Sequence, residues 1–331
     1  MAKHPKPFVD IVGTGRYLPE RVLTNHDLER MVETSDEWIF ERTGIRERRI
    51  ARADETAADM GAVAARRAME KAGVEPGEID VLVVSTATPD RWLPSTACDL
   101  QYLLGTNNAM AFDVAAACPG WLYALSVAEG LLASGRGETA LVVGAEKMSA
   151  ITDWEDRTTC ILFGDAAGAA VLKPSAGERG IISSHHGSDG ALADLLYRPA
   201  GGAAIPLTPE LLESKDHLLK MRGREVFRNA VRSMAEASEI ALRKAGLTGN
   251  DVDLLIPHQA NIRIIDATAK YAGIPREKVY VNVNRTGNTS SAAIPVALDE
   301  ALEKGVIGPG SLILTVAFGA GFTWSGMTIR L

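Results

Sequence analysis

An α/β fold made of two similar halves, each with parallel strands, is what this 331-residue chain predicts. Three observations carry that expectation. A helix-turn-strand pattern occurs twice, strand-length apolar runs alternate with helical segments, and the composition is that of a globular protein with a sizeable core. The segment AMEKAGVEPGEIDVLVVS starts at Ala68 and ALRKAGLTGNDVDLLIPH starts at Ala241, so the pattern recurs after 241 − 68 = 173 residues. In each copy an alanine-glycine pair ends a helix and a polar turn follows. An apolar run, Val81 to Val84 or Leu254 to Ile256, then reads as a buried strand.

The likeness continues more loosely through Ala109 to Gly144 and Lys278 to Gly319. Each shows a short strand, a turn of small residues, a helix, a glycine-containing loop and another apolar strand. Alternation of this kind places helices on the faces of parallel sheets. The halves are expected at 1–174 and 175–331. Between the repeats, Gly187 to Met221 contains Gly201, Gly202, Pro199, Pro206 and Pro209, and reads as loop and cap.

With 46% apolar residues, 23% charged residues and a mean hydropathy of +0.02, the chain is expected to be soluble. The opening MAKHPKPFVD has no apolar run suited to a signal peptide, and Glu129 interrupts the most apolar helix candidate, Trp121 to Ala133. A cytoplasmic protein with no membrane association is expected. The net charge of −7 argues against broad nucleic-acid binding. Cys98, Cys118 and Cys160 are odd in number, far apart and without a Cys-x-x-Cys pair, so neither a disulfide framework nor a metal site is indicated.

Chemistry gathers at three points. In AFDVAAACPGWLYALSVAEG a strand ends at alanines and a helix follows the cysteine. Pro119 suits the first helical position, with Cys118 at or next to the cap. There the helix dipole and free N–H groups favour a thiolate, and the alanines leave room for substrate; an inert buried thiol is the competing reading. His258 lies just past the strand Asp253 to Ile256, where ligands bind in open parallel sheets, although a lone histidine there is more often structural. Asn288, in NRTGNTSSAAIPVAL, stands at another strand-to-helix turn and by itself reads as a turn residue. Other motifs carry less: Gly13-Thr14-Gly15 lacks the third glycine of a dinucleotide loop, Gly164 to Gly168 lacks a phosphate-loop lysine, and His185 and His186 alternate on a strand.

Taken in order, TSDEWIFERTGIRERR, DVAAACPGW, FGDAAGAAVL, PHQANIRII, GNTSSAAIPVAL and FGAGFTW resemble the β-ketoacyl-acyl-carrier-protein synthase III family of thiolase-fold condensing enzymes. The likeness covers nearly the whole chain. It implies a thiolase-like five-layered αβαβα duplication and a homodimer with no tightly bound cofactor or metal. Coenzyme A thioesters would be substrates and malonyl-acyl-carrier protein the second partner. The matching motifs assign Cys118 as nucleophile, with His258 and Asn288 beside it. The resemblance places the adenine of CoA between Trp38 and Arg157, Arg42 near its phosphates, and Gly223, Phe227, Ala260 and Asn261 along the pantetheine path. It connects Gln259 and Arg263 with carrier binding. Arg224, Arg228 and Arg232, four residues apart on an amphipathic helix, are expected to extend a basic face for the same acidic partner. Leu93, from the partner subunit, and Trp121 are expected to shape the acyl pocket. A relative acting in specialised metabolism and a silent acyl-binding scaffold are the alternatives, and Cys118, His258 and Asn288 together weigh against the scaffold.

Overall fold

The repeated segment fixes where helices stop and strands begin in the computed structural model, which describes residues 8–175, 177 and 179–331. In the first copy the helix Ala57–Ala72 passes through a turn at Pro76–Glu78 into the strand Val81–Ser85. In the second, Gly223–Ala245 passes through Gly249–Asp251 into Leu254–Pro257. Both helices end on a left-handed glycine, Gly73 at φ 63° and Gly246 at φ 69°. A side chain at either position would meet the Cβ penalty that glycine lacks.

Two sheets result. The first has the order Phe8–Tyr17, Asp165–Ser175, Ala140–Lys147, Val81–Ser85, Met110–Val114. Its last three strands are parallel, whereas Asp165–Ser175 runs antiparallel to both neighbours. The second sheet has the order Leu254–Pro257, Leu312–Gly319, Thr323–Arg330, Gly180–Ser188, and only its first pair is parallel. The expectation of parallel strands therefore holds where helices intervene. It fails between Leu312–Gly319 and Thr323–Arg330, because three residues can close a hairpin but not a crossover. The short strand expected near Lys278 is reduced to an isolated bridge between Leu255 and Val279.

Three buried clusters show the layering. The helices Gly120–Ala133 and Ala293–Glu303 lie between the sheets, where Leu122, Leu125, Ile294 and Leu298 pack with Val83, Val142, Ile256 and Ile313. Helices Ala57–Ala72 and Thr96–Leu104 cover the other face of the first sheet through Met60, Ala64 and Leu100. Gly223–Ala245 and Ile262–Tyr271 cover the second through Met234, Ala237 and Ile265. The chain thus has the five-layered αβαβα arrangement of the thiolase fold. Gly15 allows close packing, since a Cβ there would stand 2.2 Å from the carbonyl oxygen of Ala64. The segment expected as cap carries only short elements, among them Pro209–Glu213 and the paired Leu196–Tyr197 and Lys220–Met221.

Candidate active site

Turns that follow strands of both halves converge on one cavity of about 160 Å³. After Met110–Val114 the chain bends through Ala117, whose φ of 48° lies in the left-handed region, costly for a residue with a Cβ. The bend carries Cys118 into the cavity. Pro119 is the N-cap of Gly120–Ala133 rather than its first residue, and the Gly120 amide bonds Ala117 O at 2.8 Å. Cys118 consequently stands one residue outside the cap.

The resting state of the thiol differs from expectation. Burial pushes Cys118 from 9.0 up to about 12; a hydrogen bond from Ser290 opposes this and the charge of Glu146 adds to it. A helix N-terminus supplies about 0.3–2 kcal/mol, too little to overcome that desolvation. Cys118 rests as a thiol.

His258 follows the strand Leu254–Pro257 and is held by its main chain, its N–H bonding Val316 O at 2.8 Å and its carbonyl accepting from Ala260 N at 3.0 Å. The side chain is 2% exposed, and neither ring nitrogen has a protein partner. Burial lowers its pKa to about 4, so the imidazole is neutral near pH 7 and has one N–H to donate. Asn288 is anchored by its amide to Leu162 O (2.8 Å) and by its carbonyl to Gly164 N (3.0 Å). Its Oδ1 accepts the Ser290 amide at 2.9 Å, leaving Nδ2 as the group available to the cavity.

Cys118, His258 and Asn288 line this cavity together with Gly223, Phe227, Ala260 and Asn261. Its remaining wall is largely apolar and includes Met148, Ile151, Leu162, Phe163, Leu196 and Leu219. The cap segment, through Leu196 and Leu219, therefore belongs to the site. Asn261 also ties the cavity mouth to the helix Asp36–Thr43, its Nδ2 bonding Arg42 O at 2.9 Å while its Oδ1 caps Arg263 N at 2.9 Å.

The other expected residues divide. Trp38 lies with the Arg42 guanidinium 4.3 Å and that of Arg157 5.2 Å from its ring centroid, so Arg42 stacks on the indole in this structure. Arg224, Arg228, Arg232 and Arg263 are exposed, and Arg228 and Arg232 lie beside Phe227, which also lines the cavity. Gln259 requires correction as a carrier contact: it is 0% exposed and its amide is committed inside the protein. Nε2 donates to Pro257 O (2.7 Å) and Tyr280 O (3.2 Å), and Oε1 accepts from Asn282 N and Val283 N. Trp121 also requires correction. It is fully buried between the two sheets, its Nε1 directed at Val142 O, and it does not line the cavity. Leu93, 86% exposed, does not line this chain's cavity.

Sequence reasoning missed Ser290 and Glu146. Ser290 lines the cavity, and Glu146 is wholly buried nearby, accepting from Ser291 Oγ (2.7 Å), Thr88 Oγ1 (2.8 Å) and the Ala87 amide (3.0 Å). The faint signals were a lone acid near the end of the apolar run ALVVGAEK and the first of two serines in GNTSS.

A duplicated αβαβα fold whose halves jointly present a cysteine, a histidine and an asparagine to one apolar cavity defines an acyltransferase of the thiolase-fold condensing class. Family models described as 3-oxoacyl-[acyl-carrier-protein (ACP)] synthase III and its C-terminal part match residues 112–190 and 242–331. A β-ketoacyl-[acyl-carrier-protein] synthase III of Symbiobacterium thermophilum is 54% identical, over 97% of this chain and 98% of the relative. The crystal structure of 3-oxoacyl-[acyl-carrier-protein] synthase III from Aquifex aeolicus VF5 has a TM-score of 0.91 at 46% identity, covering 98% of this chain and 100% of that one. The priming β-ketosynthase of the R1128 polyketide biosynthetic pathway also scores 0.91, at 40% identity over 99% and 98% of the two chains. The chain belongs to the β-ketoacyl-acyl-carrier-protein synthase III family.

Proposed function

We propose that this chain initiates fatty acid synthesis by condensing an acyl-CoA primer with malonyl-acyl-carrier protein, through an acyl group carried on Cys118. The observation that supports this reading is the shared cavity of Cys118, His258 and Asn288. In the first half-reaction a bond forms between Cys118 Sγ and the acyl carbon. The acyl carbon's bond to the CoA sulfur breaks, and the thiol proton ends on CoA. One thioester replaces another, so little driving force is needed.

In the second half-reaction the malonyl thioester loses carbon dioxide, and negative charge develops on the enolate oxygen. The neutral His258 and the Nδ2 of Asn288 donate to it, while the largely apolar lining of the cavity strengthens both interactions. The enolate carbon then attacks the acyl carbonyl, whose oxyanion the main chain at Cys118 and at Gly319 to Gly321 holds. Gly319 packs closely there, since a Cβ on it would stand 2.7 Å from Cys118 N. The carbon–sulfur bond to Cys118 breaks and one solvent proton restores the thiol. Every step uses the chain's own groups, so the proposal includes no metal or tightly bound cofactor.

In this reading Trp38 and Arg157 receive the adenine of CoA, and Arg42 leaves the indole to reach the phosphates. The pantetheine arm passes Gly223, Phe227, Ala260 and Asn261. Arg224, Arg228, Arg232 and Arg263 face the acidic carrier protein. The halves divide at 1–174 and 175–331, each contributing to the site, and the enzyme works in the cytoplasm. Among the described residues no helix is long and apolar enough to cross a membrane. A homodimer is proposed because Trp92, Leu93, Tyr102 and Met110 are 69%, 86%, 87% and 47% exposed, Met110 on the edge strand Met110–Val114. Sedimentation is expected to give twice the chain mass, and Met110→Asp with Tyr102→Asp to give a monomer; a monomeric wild type overturns the dimer.

The likeness to the priming β-ketosynthase favours a second reading, in which the same chemistry primes a specialised pathway. Radiolabelled malonyl-acyl-carrier protein, supplied with a series of acyl-CoAs, tests both. Acyl-CoA-dependent release of carbon dioxide with formation of the 3-oxoacyl product is expected. A preference for short primers supports fatty acid initiation and a preference for unusual ones supports the second reading. Release without any condensed product would remove both.

A further inference from the structure

Where the strand Leu254–Pro257 ends, beside His258, a side chain takes over from the main chain. The isolated parallel bridge between Leu255 and Val279 carries a bond from Tyr280 N to Leu255 O at 2.9 Å. The next rung of such a ladder would run from the N–H of residue 257 to Tyr280 O, and Pro257 has no N–H. Gln259 supplies the donor instead. Its Nε2 donates to Tyr280 O at 3.2 Å and to Pro257 O at 2.7 Å. Its Oε1 accepts Asn282 N at 2.9 Å and Val283 N at 3.2 Å. Both N–H groups and both lone pairs of the amide are thus engaged, all of them inside the protein.

Each side of this clamp leads to one of the two donors assigned to the enolate. His258 stands between Pro257 and Gln259, and its amide is held on the opposite side by Val316 O. Asn282 and Val283 open the one-turn helix Val283–Thr286, in which Asn282 O accepts the amides of Arg285 (2.9 Å) and Thr286 (3.1 Å). Asn288 follows that helix by two residues. One side-chain amide therefore fastens the turn that presents His258 to the turn that leads to Asn288. Gln259 itself does not line the cavity.

We propose that Gln259 is a positioning residue for decarboxylation, setting the placement of His258 relative to Asn288 without touching the substrate. The inference deepens the reading of His258 and Asn288 as enolate donors and rests on it. Two donors serve one developing oxyanion only while the turns that carry them keep their spacing, and a displacement of about 1 Å can cost about a hundredfold in rate. Cys118 reaches the cavity from the other half of the chain, on a turn that Gln259 does not bond, so acylation is independent of the clamp. No bond forms or breaks at Gln259.

Gln259→Glu keeps the size of the side chain and its acceptor for Asn282 N and Val283 N, and removes the donor to the two carbonyl oxygens. Carbon dioxide release from labelled malonyl-carrier protein and mass gain from acyl-CoA read the two half-reactions. The variant's kcat for decarboxylation is expected to fall about ten- to a hundredfold, with KM for malonyl-carrier protein and the rate of self-acylation close to wild type. Relative to wild type at each pH, the loss is expected to shrink as pH falls, since a protonated carboxyl can again donate to one carbonyl oxygen, a recovery that general loosening would not give. Gln259→Asn keeps the amide but is one methylene too short to span the clamp, and is expected to lose decarboxylation in the same selective way. Should Gln259→Glu fail to fold, the asparagine variant decides by the same comparison. Wild-type decarboxylation in both variants overturns the proposal. So does a raised KM for malonyl-carrier protein at unchanged kcat, because Gln259 would then serve the carrier, and so does an equal loss of both half-reactions. Failure of the underlying reading looks different: the wild-type enzyme would then release no carbon dioxide from malonyl-carrier protein.

Discussion

Cys118→Ala is expected to abolish the acyl-enzyme completely, whereas Cys98→Ala and Cys160→Ala retain it. Of the three thiols, only Cys118 lines the cavity. Cys160 is 0% exposed among Leu23, Leu28, Ile39 and Ile161, and Cys98 receives the Ser95 hydroxyl at 3.3 Å on a helix remote from the lining. Burial holds both Cys118 and Cys160 above the ordinary thiol range, so thiolate content at rest does not distinguish them. Access does, together with the donors that surround Cys118. Intact mass after incubation with acyl-CoA reads the outcome, and an acyl adduct on the Cys118→Ala enzyme would remove Cys118 from the mechanism. The variant is also expected to keep decarboxylating malonyl-carrier protein, since His258 and Asn288 remain in place.

How the fold was legible follows from the kind of signal each part leaves. The 173-residue offset brings Gly73 onto Gly246 and Val81 onto Leu254, and these positions end helices and begin strands in both halves. Local chemistry dictates those boundaries, so they show in a single chain. Strand direction at the sheet edges does not, because antiparallel pairing of Phe8–Tyr17 with Asp165–Ser175 depends on residues more than a hundred positions apart. The cavity residues near the three reactive groups could be placed from their turns. Gln259 and Trp121 could not: a polar side chain next to His258 reads as available until its four partners are seen, and an aromatic beside Cys118 reads as pocket lining until the helix face it occupies is known. The thiol's upward shift was hidden for a related reason. Desolvation sums over everything that packs around Cys118, while the helix terminus visible in the sequence is a smaller local effect.

His258→Ala and Asn288→Ala are each expected to lower malonyl decarboxylation about a hundred- to a thousandfold, the loss associated with one oxyanion donor, or about 3–4 kcal/mol. Self-acylation should fall much less, because its oxyanion is assigned to main-chain groups that neither substitution removes. The two side chains reach this role differently. His258 is uncharged and has both ring nitrogens free of protein partners, so its N–H costs no existing bond when the enolate forms. Asn288 has its orientation fixed through the bond from Ser290 N to Oδ1, and loss of that acceptor in Asn288→Ala also loosens the turn that carries Ser290. Asn288→Asp separates the contributions: it preserves an acceptor for the Ser290 amide and removes the Nδ2 donor. Its decarboxylation should therefore fall at least as far as that of Asn288→Ala, while the turn stays in place. Carbon dioxide release from labelled malonyl-carrier protein and the rate of mass gain from acyl-CoA measure the two half-reactions separately. If all three variants lost both half-reactions equally, His258 and Asn288 would be holding the site together rather than stabilising the enolate.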